Sequence, residues 1–109
     1  MLLWRADGKH AEEVLLEGMP LGYTALAEYE EIELKMGAGD TILLMSDGLA
    51  ERLNNEDELF DYDKTLKAFE SVASKSPDDI IQHMVSVGNE WADGRENDDD
   101  ESFICLKFK

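Results

Sequence analysis

The chain has 109 residues, of which 26 are acidic and 10 are basic, so its formal net charge is -16. This length suits one domain with a modest hydrophobic core. The acidic surplus argues against a nucleic-acid partner, because phosphate binding needs clustered Lys and Arg, and it favours divalent cations over anionic membranes.

The remaining composition predicts a protein of the cytoplasm. Cys105 is the only cysteine, so an internal disulfide is impossible, and its apolar neighbours predict a buried, inert thiol. No apolar run reaches membrane-spanning length, and Met1–Arg5 is too short for the core of a secretory signal. We therefore expect neither a membrane nor a nucleic-acid partner.

The first third of the chain predicts strands and turns. Leu2–Arg5 and Glu13–Glu17 flank an Asp-Gly turn at Ala6–Lys9, which is typical of a β-hairpin. Gly18–Gly22 contains two glycines and a proline, and predicts a fixed turn. Imperfect apolar and acidic alternation predicts a half-exposed strand in the later part of 25–34.

The middle and end of the chain add two strands. Lys35–Asp40 predicts a tight connection into a strand over Thr41–Ser46. The polar loop Asp93–Glu101 precedes a closing strand over Phe103–Phe108.

Between these strands the apolar spacing becomes helical. Asp63–Ser74 places Leu66, Phe69, Val72 and Ala73 on one face. Ser76 followed by Pro77 predicts the start of a second helix, whose apolar face fades near Gly94 and comprises Ile80, Ile81, Met84, Val85, Val87 and Trp91. We expect an α+β fold with the helices on one face of an antiparallel sheet.

Asp47 is the first candidate functional residue. It follows a strand that can be buried, and Gly48 next to it allows close backbone approach. Such a position holds a carboxylate rigidly, as a metal ligand requires. The alternatives are an ordinary Asp-Gly turn, or an N-cap for a short helix over Leu49–Leu53 with Glu51 as a first-turn acid.

Asp98-Asp99-Asp100 forms a second acidic cluster before the last strand. It is either solvated surface or a source of oxygen ligands for magnesium or manganese, which need few protein carboxylates because they retain waters. The spacing does not fit a calcium-binding EF-hand loop. His10 and His83 are isolated, and the chain shows no convincing Ser, His and acid combination for a protein nucleophile.

Four stretches in order resemble the metal-dependent serine/threonine phosphatases related to phosphatase 2C, specifically their bacterial SpoIIE-type branch. Gly39–Glu51 is similar to the segment G-D-x-L-L-L-x-[TS]-D-G-L-x-E almost position for position. The other three are Gly18–Gly22 (G-x-P-L-G), Glu58–Phe60 with Leu66 (G-E-x-F-G…L), and Asp99–Ser102 (D-D-x-[TS]).

The resemblance implies a protein phosphatase that uses two manganese or magnesium ions to bind phosphate and activate water. Asp47 and Asp99 fall on metal-binding aspartates of the family, and Gly48 and Asp100 would support them. A register slip by one residue would make Asp98 the ligand. The implied substrate is a phosphorylated anti-sigma-factor antagonist in bacterial signalling. The alternative is a non-catalytic pseudophosphatase or regulatory interaction module with the same fold.

The chain also departs from the family pattern. The family domain is about twice as long, and its first half supplies another aspartate and an Asp-Gly pair that are not found here. Residues 1–109 are therefore identified as the C-terminal half of such a domain, one half of an α/β-β/α sandwich. We expect this half to be inactive alone and to self-associate through uncovered strand edges or apolar sheet surface. Two positions also differ from the family pattern: Asp61 stands where the family has a glycine, and Glu101 stands where the family usually has an apolar residue.

Overall fold

The computed structural model describes residues 1–15, 25–26 and 31–109. Within these residues, four antiparallel strands form one sheet in the order β2-β1-β3-β4. The elements in chain order are β1 (Leu2–Arg5), β2 (His10–Glu13), β3 (Thr41–Met45), α1 (Tyr62–Val72), α2 (Pro77–Ala92) and β4 (Phe103–Lys107). This is the predicted α+β fold. No described helix is long and apolar enough to cross a membrane.

The predicted hairpin is present, but its second strand begins earlier than expected. Leu2 pairs with Glu13 and Arg5 pairs with His10, so Ala6–Lys9 is the whole connection. Lys9 closes the turn with a left-handed φ of 49°. Pairing therefore resumes at His10 rather than at Glu13.

Two expectations fall on the segment between β2 and β3. The predicted turn at Gly18–Gly22 lies outside the described residues. The predicted strand is wrong over its described part, because residues 31–34 have no regular structure and Ile32 is 46% exposed. Alternation can suggest which side chains face the core, but a strand also needs a neighbouring backbone to bond, and residues 31–34 pair with none of β1–β4.

Both helices form where the sequence predicts them. The carboxylate of Asp61 caps α1 by accepting from the Tyr62 amide at 2.7 Å. The Ser76 hydroxyl caps α2 by accepting from the Asp79 amide at 3.2 Å, with Pro77 in the first turn. Val85 is an exception to the predicted apolar face, because it is exposed.

The core lies between the sheet and the helices. It is built around Leu43, Phe69, Ile80 and Met84, each fully buried. Cys105 packs against this core and is half-buried, and burial raises the pKa of its thiol, as suits an inert cysteine.

The opposite face of the sheet is apolar and partly exposed. Leu44 pairs with Ile104 and Ile42 with Leu106 across β3 and β4. Leu44, Ile104 and Leu106 are 40%, 58% and 47% exposed. The helices therefore cover one face of the sheet and leave these three side chains accessible on the other.

A buried carboxylate fixes the entry into β3. Asp40 accepts from the amides of Ala6 at 2.9 Å and Gly37 at 2.8 Å, and pairs with the Arg5 guanidinium at 3.1 Å. These hydrogen bonds, chiefly the one from Gly37, lower the pKa of Asp40. Asp40 thus joins the hairpin turn to the connection before β3. Its role in the segment Gly39–Glu51 is therefore structural.

Candidate metal centre

The two acidic segments meet at one end of the sheet. Because β3 and β4 are antiparallel and end in the pair Met45 and Phe103, the residues after β3 face those before β4. The Ser46 amide donates to the Ser102 carbonyl at 3.0 Å, and the Ser102 amide donates to the Ser46 hydroxyl at 3.0 Å. The Ser46 hydroxyl donates in turn to the Asp100 carbonyl at 3.3 Å. Two serines thus join the segment carrying Asp47 to the one carrying Asp98–Asp100.

Gly48 makes this junction possible. A Cβ at this position would lie 2.3 Å from the Asp100 carbonyl oxygen and 3.0 Å from the Glu101 Cγ. No side chain fits there unless the backbone moves. The Asp-Gly pair is therefore more than a turn signal, because the glycine lets the acidic loop pack directly against the residue after Asp47.

Asp47 begins one turn of helical hydrogen bonding rather than a short helix. Its carbonyl accepts from the Glu51 amide at 2.9 Å, and the Leu49 carbonyl accepts from the Arg52 amide at 3.0 Å. Leu49 and Ala50 are fully buried, whereas Asp47 and Glu51 are exposed. The turn is thus anchored in the core while the Asp47 carboxylate reaches solvent.

Tyr62 is a partner of Asp47 that sequence reasoning missed. Its hydroxyl donates to Asp47 Oδ1 at 2.9 Å. The pKa of Tyr62 is raised to about 12. The largest cause is this hydrogen bond, and the next largest is burial of the hydroxyl. The two residues are 15 positions apart, and no sequence pattern pairs the end of a strand with the first residue of a later helix.

The aspartates of the second cluster differ in their partners. Asp98 lies 3.7 Å from the guanidinium of Arg95, which also pairs with Asp57. Asp99 and Asp100 are exposed, and no hydrogen bond from another described residue reaches their carboxylates. Their oxygens are therefore available, whereas Asp98 is already near a cation.

A buried ion pair holds the base of the same loop. Arg52 Nη1 lies 3.1 Å from Glu101 Oε1, and the two side chains are only 8% and 10% exposed. Arg52 Nη2 also donates to the Arg95 carbonyl at 3.3 Å, while its buried Nε has no hydrogen-bond partner within the part of the chain that the structure describes. Glu101, where the sequence led us to expect an apolar residue, thus gains a partner that only the fold brings to it.

A cleft of about 440 Å³ opens beside Asp47, between the start of β1, the end of β3 and the start of α1. Leu2, Met45 and Thr65 are among the residues that line it, together with Asp47 and Tyr62. Most of the lining is apolar, but the carboxylates of Glu13 and Asp47 would repel a phosphate dianion unless cations intervened.

The described residues fit a divalent metal only in part. Asp47 and Asp99 offer hard carboxylate oxygens of the type that magnesium and manganese prefer. However, no group of three His, Cys, Asp or Glu side chains able to hold a metal occurs within residues 1–15, 25–26 and 31–109. Further ligands would have to come from waters or from residues elsewhere.

Comparison with known proteins identifies the family. A model of the Stage II sporulation protein E (SpoIIE) family matches residues 1–109. A search of curated proteins found no significant match. Among solved structures, the chain is similar to the SiaA-PP2C domain of Pseudomonas aeruginosa, with a TM-score of 0.76 and 19% identity. That match covers 99% of this chain and 43% of the solved one, so the chain spans less than half its length and has the fold of part of a PP2C domain. The chain belongs to the SpoIIE family.

Proposed function

We propose that this chain is the part of a metal-dependent protein serine/threonine phosphatase that contributes Asp47 and Asp99 as metal ligands. The observation that carries the proposal is the junction of Gly48 with the Asp100 backbone, reinforced by Ser46 and Ser102. It holds two exposed acidic segments at one end of the sheet in a member of the SpoIIE family.

The proposed reaction is hydrolysis of a phosphoserine or phosphothreonine. The water oxygen forms a bond to phosphorus, the bond from phosphorus to the side-chain oxygen breaks, and that oxygen takes up a proton. When bound, manganese or magnesium ions would supply the positive charge that the phosphate needs and would lower the pKa of the attacking water, so that it loses its proton more easily. Asp47 and Asp99 would hold the ions, Asp100 would add negative charge nearby, and Gly48 keeps the loop in place.

The proposed substrate is a phosphorylated protein of the anti-sigma-factor antagonist type, dephosphorylated in the cytoplasm during bacterial signalling. The family supports this proposal. The apolar cleft beside Asp47 offers room for side chains that flank the phosphorylated residue. Asp99 is preferred to Asp98 as the ligand because Arg95 already lies near Asp98.

The experiment is manganese-dependent hydrolysis of p-nitrophenyl phosphate by the complete polypeptide that contains these residues. We expect Asp47→Asn to abolish activity and to weaken manganese binding. Asp98→Asn, the matched control on the same acidic cluster, should retain activity. The isolated 109-residue chain should be inactive because its described residues bring together no three-ligand group. Activity that survives Asp47→Asn would refute the assignment.

The second candidate is a non-catalytic interaction module of the same fold. The absence of a three-ligand group among the described residues favours it. Under this alternative the complete polypeptide would bind its protein partner with the same affinity in manganese and in EDTA. It would also hydrolyse no phosphate ester under either condition.

A further inference from the structure

We propose that Tyr62 is a positioning residue for Asp47, which fixes the carboxylate in the orientation that binds the metal. The inference rests on the proposed function, because it assigns Tyr62 a role at the same site. Its basis is the 2.9 Å hydrogen bond from the Tyr62 hydroxyl to Asp47 Oδ1.

The backbone brings Tyr62 to this position through several connections. The Asp61 amide donates to the Ala50 carbonyl at 2.8 Å, which ties the start of α1 to the turn that begins at Asp47. On the helix side, the Thr65 hydroxyl donates to the Asp61 carbonyl at 2.7 Å, and Thr65 is buried. Both contacts hold Asp61, the residue before Tyr62, and so fix the start of α1 next to the turn that begins at Asp47. The Tyr62 ring is 44% exposed, and its hydroxyl is directed to Asp47 by their hydrogen bond.

Asp47 needs such a donor because its carboxylate is otherwise exposed. An unrestrained carboxylate samples several rotamers and loses that freedom when it binds a cation. The hydroxyl occupies Oδ1, whereas Oδ2 accepts no hydrogen bond within the described residues. One oxygen is thus oriented by the protein and the other is left for a metal ion, an arrangement in which an outer hydrogen bond raises metal affinity.

Manganese affinity is the quantity that tests the inference. It is measured on the complete polypeptide by titration with Mn²⁺ alone, with free Mn²⁺ followed by electron paramagnetic resonance. Tyr62→Phe removes only the hydroxyl and should raise the Kd for Mn²⁺ about 10-fold, at the lower end of the effects seen for outer-shell partners of metal ligands.

The matched control is Ser71→Ala, which also removes one hydroxyl from α1. That hydroxyl donates to the Ala68 carbonyl. It should leave the Kd unchanged. Unfolding is followed in EDTA for each variant, and the Kd is measured where every variant is folded, so that a loss of stability is not read as a loss of affinity.

The outcomes separate the inference from the proposed function. If Asp47→Asn weakens Mn²⁺ binding and Tyr62→Phe does not, Tyr62 is only structural and the inference is wrong. If Asp47→Asn leaves the affinity unchanged, the metal assignment of Asp47 fails, and the role of Tyr62 fails with it.

Discussion

Replacing Gly48 by alanine tests the contact on which the candidate site depends. The added Cβ would lie 2.3 Å from the Asp100 carbonyl oxygen, and real Cβ contacts essentially never fall below 3.0 Å. The Asp100 backbone must therefore move away. Because the obstacle is main chain, it cannot be relieved by rotating a flexible side chain.

The expected cost lies near the upper end of the range for overpacking substitutions, about 3 kcal/mol. For a domain of this size, such a loss lowers the midpoint of thermal unfolding by about 10–20 °C. The displacement also separates Asp47 from the acidic loop, so we expect weaker Mn²⁺ binding by the folded protein.

Thermal unfolding followed by circular dichroism measures this effect, with Gly37→Ala as the matched control. At Gly37 the nearest atom to an added Cβ is Asp40 Oδ2 at 3.7 Å, which is ordinary contact distance. This control should change the free energy of unfolding by less than about 0.5 kcal/mol. If Gly48→Ala unfolds within a few degrees of Gly37→Ala, the close packing of Gly48 against Asp100 is refuted.

Three further predictions concern the rest of the chain. Asp61 has φ 76° and ψ 161°, a region that essentially only glycine occupies, so Asp61→Gly should stabilise the protein by about 1 kcal/mol in urea unfolding. Asp61→Ala keeps the strain and loses the cap, and should destabilise it; equal effects of the two variants would contradict this reasoning. The lowered pKa of Asp40 means that its contribution to stability is present above its ordinary value of 3.8 and is lost as pH falls through the folded-state pKa. Asp40→Asn should therefore lower the unfolding midpoint at pH 7, and the difference from the parent should shrink in acid; a constant difference would argue against it. The 109-residue chain should self-associate through the exposed sheet face that contains Ile104. Ile104→Lys should therefore lower the mass measured by light scattering. If the unmodified chain is a monomer at high concentration, this prediction is wrong.

The sequence predicted the parts of the fold that depend on local physical chemistry. The serine and proline at Ser76 and Pro77 specify the start of α2 because they satisfy free amides and fix φ. The apolar run Thr41–Met45, which favours a strand, specifies β3. Residues 31–34 were wrongly predicted because pairing is not a local property: alternation can suggest a face, but it cannot supply a neighbouring strand.

At the candidate site, the sequence indicated Asp47, Gly48 and the acidic cluster Asp98–Asp100, and it placed them at the ends of two strands. It could not show that these ends adjoin, since the strand order β2-β1-β3-β4 is a property of the assembled sheet. It also gave no sign of Tyr62 at Asp47, because side chains far apart in sequence meet only when the backbone between them has folded.

Glu101 shows most clearly the difference between what the sequence determined and what the tertiary structure decided. By itself the sequence placed a charged residue where an apolar one was expected, and that looked like a departure from the family pattern. The tertiary structure brings Arg52 to within 3.1 Å of it, in a site where both side chains are almost fully buried. Charge and spacing along the chain thus determined the elements and the candidate ligands. The partner of each buried or oriented charge was decided by packing, since an ion pair in the interior forms only where the fold removes both groups from water.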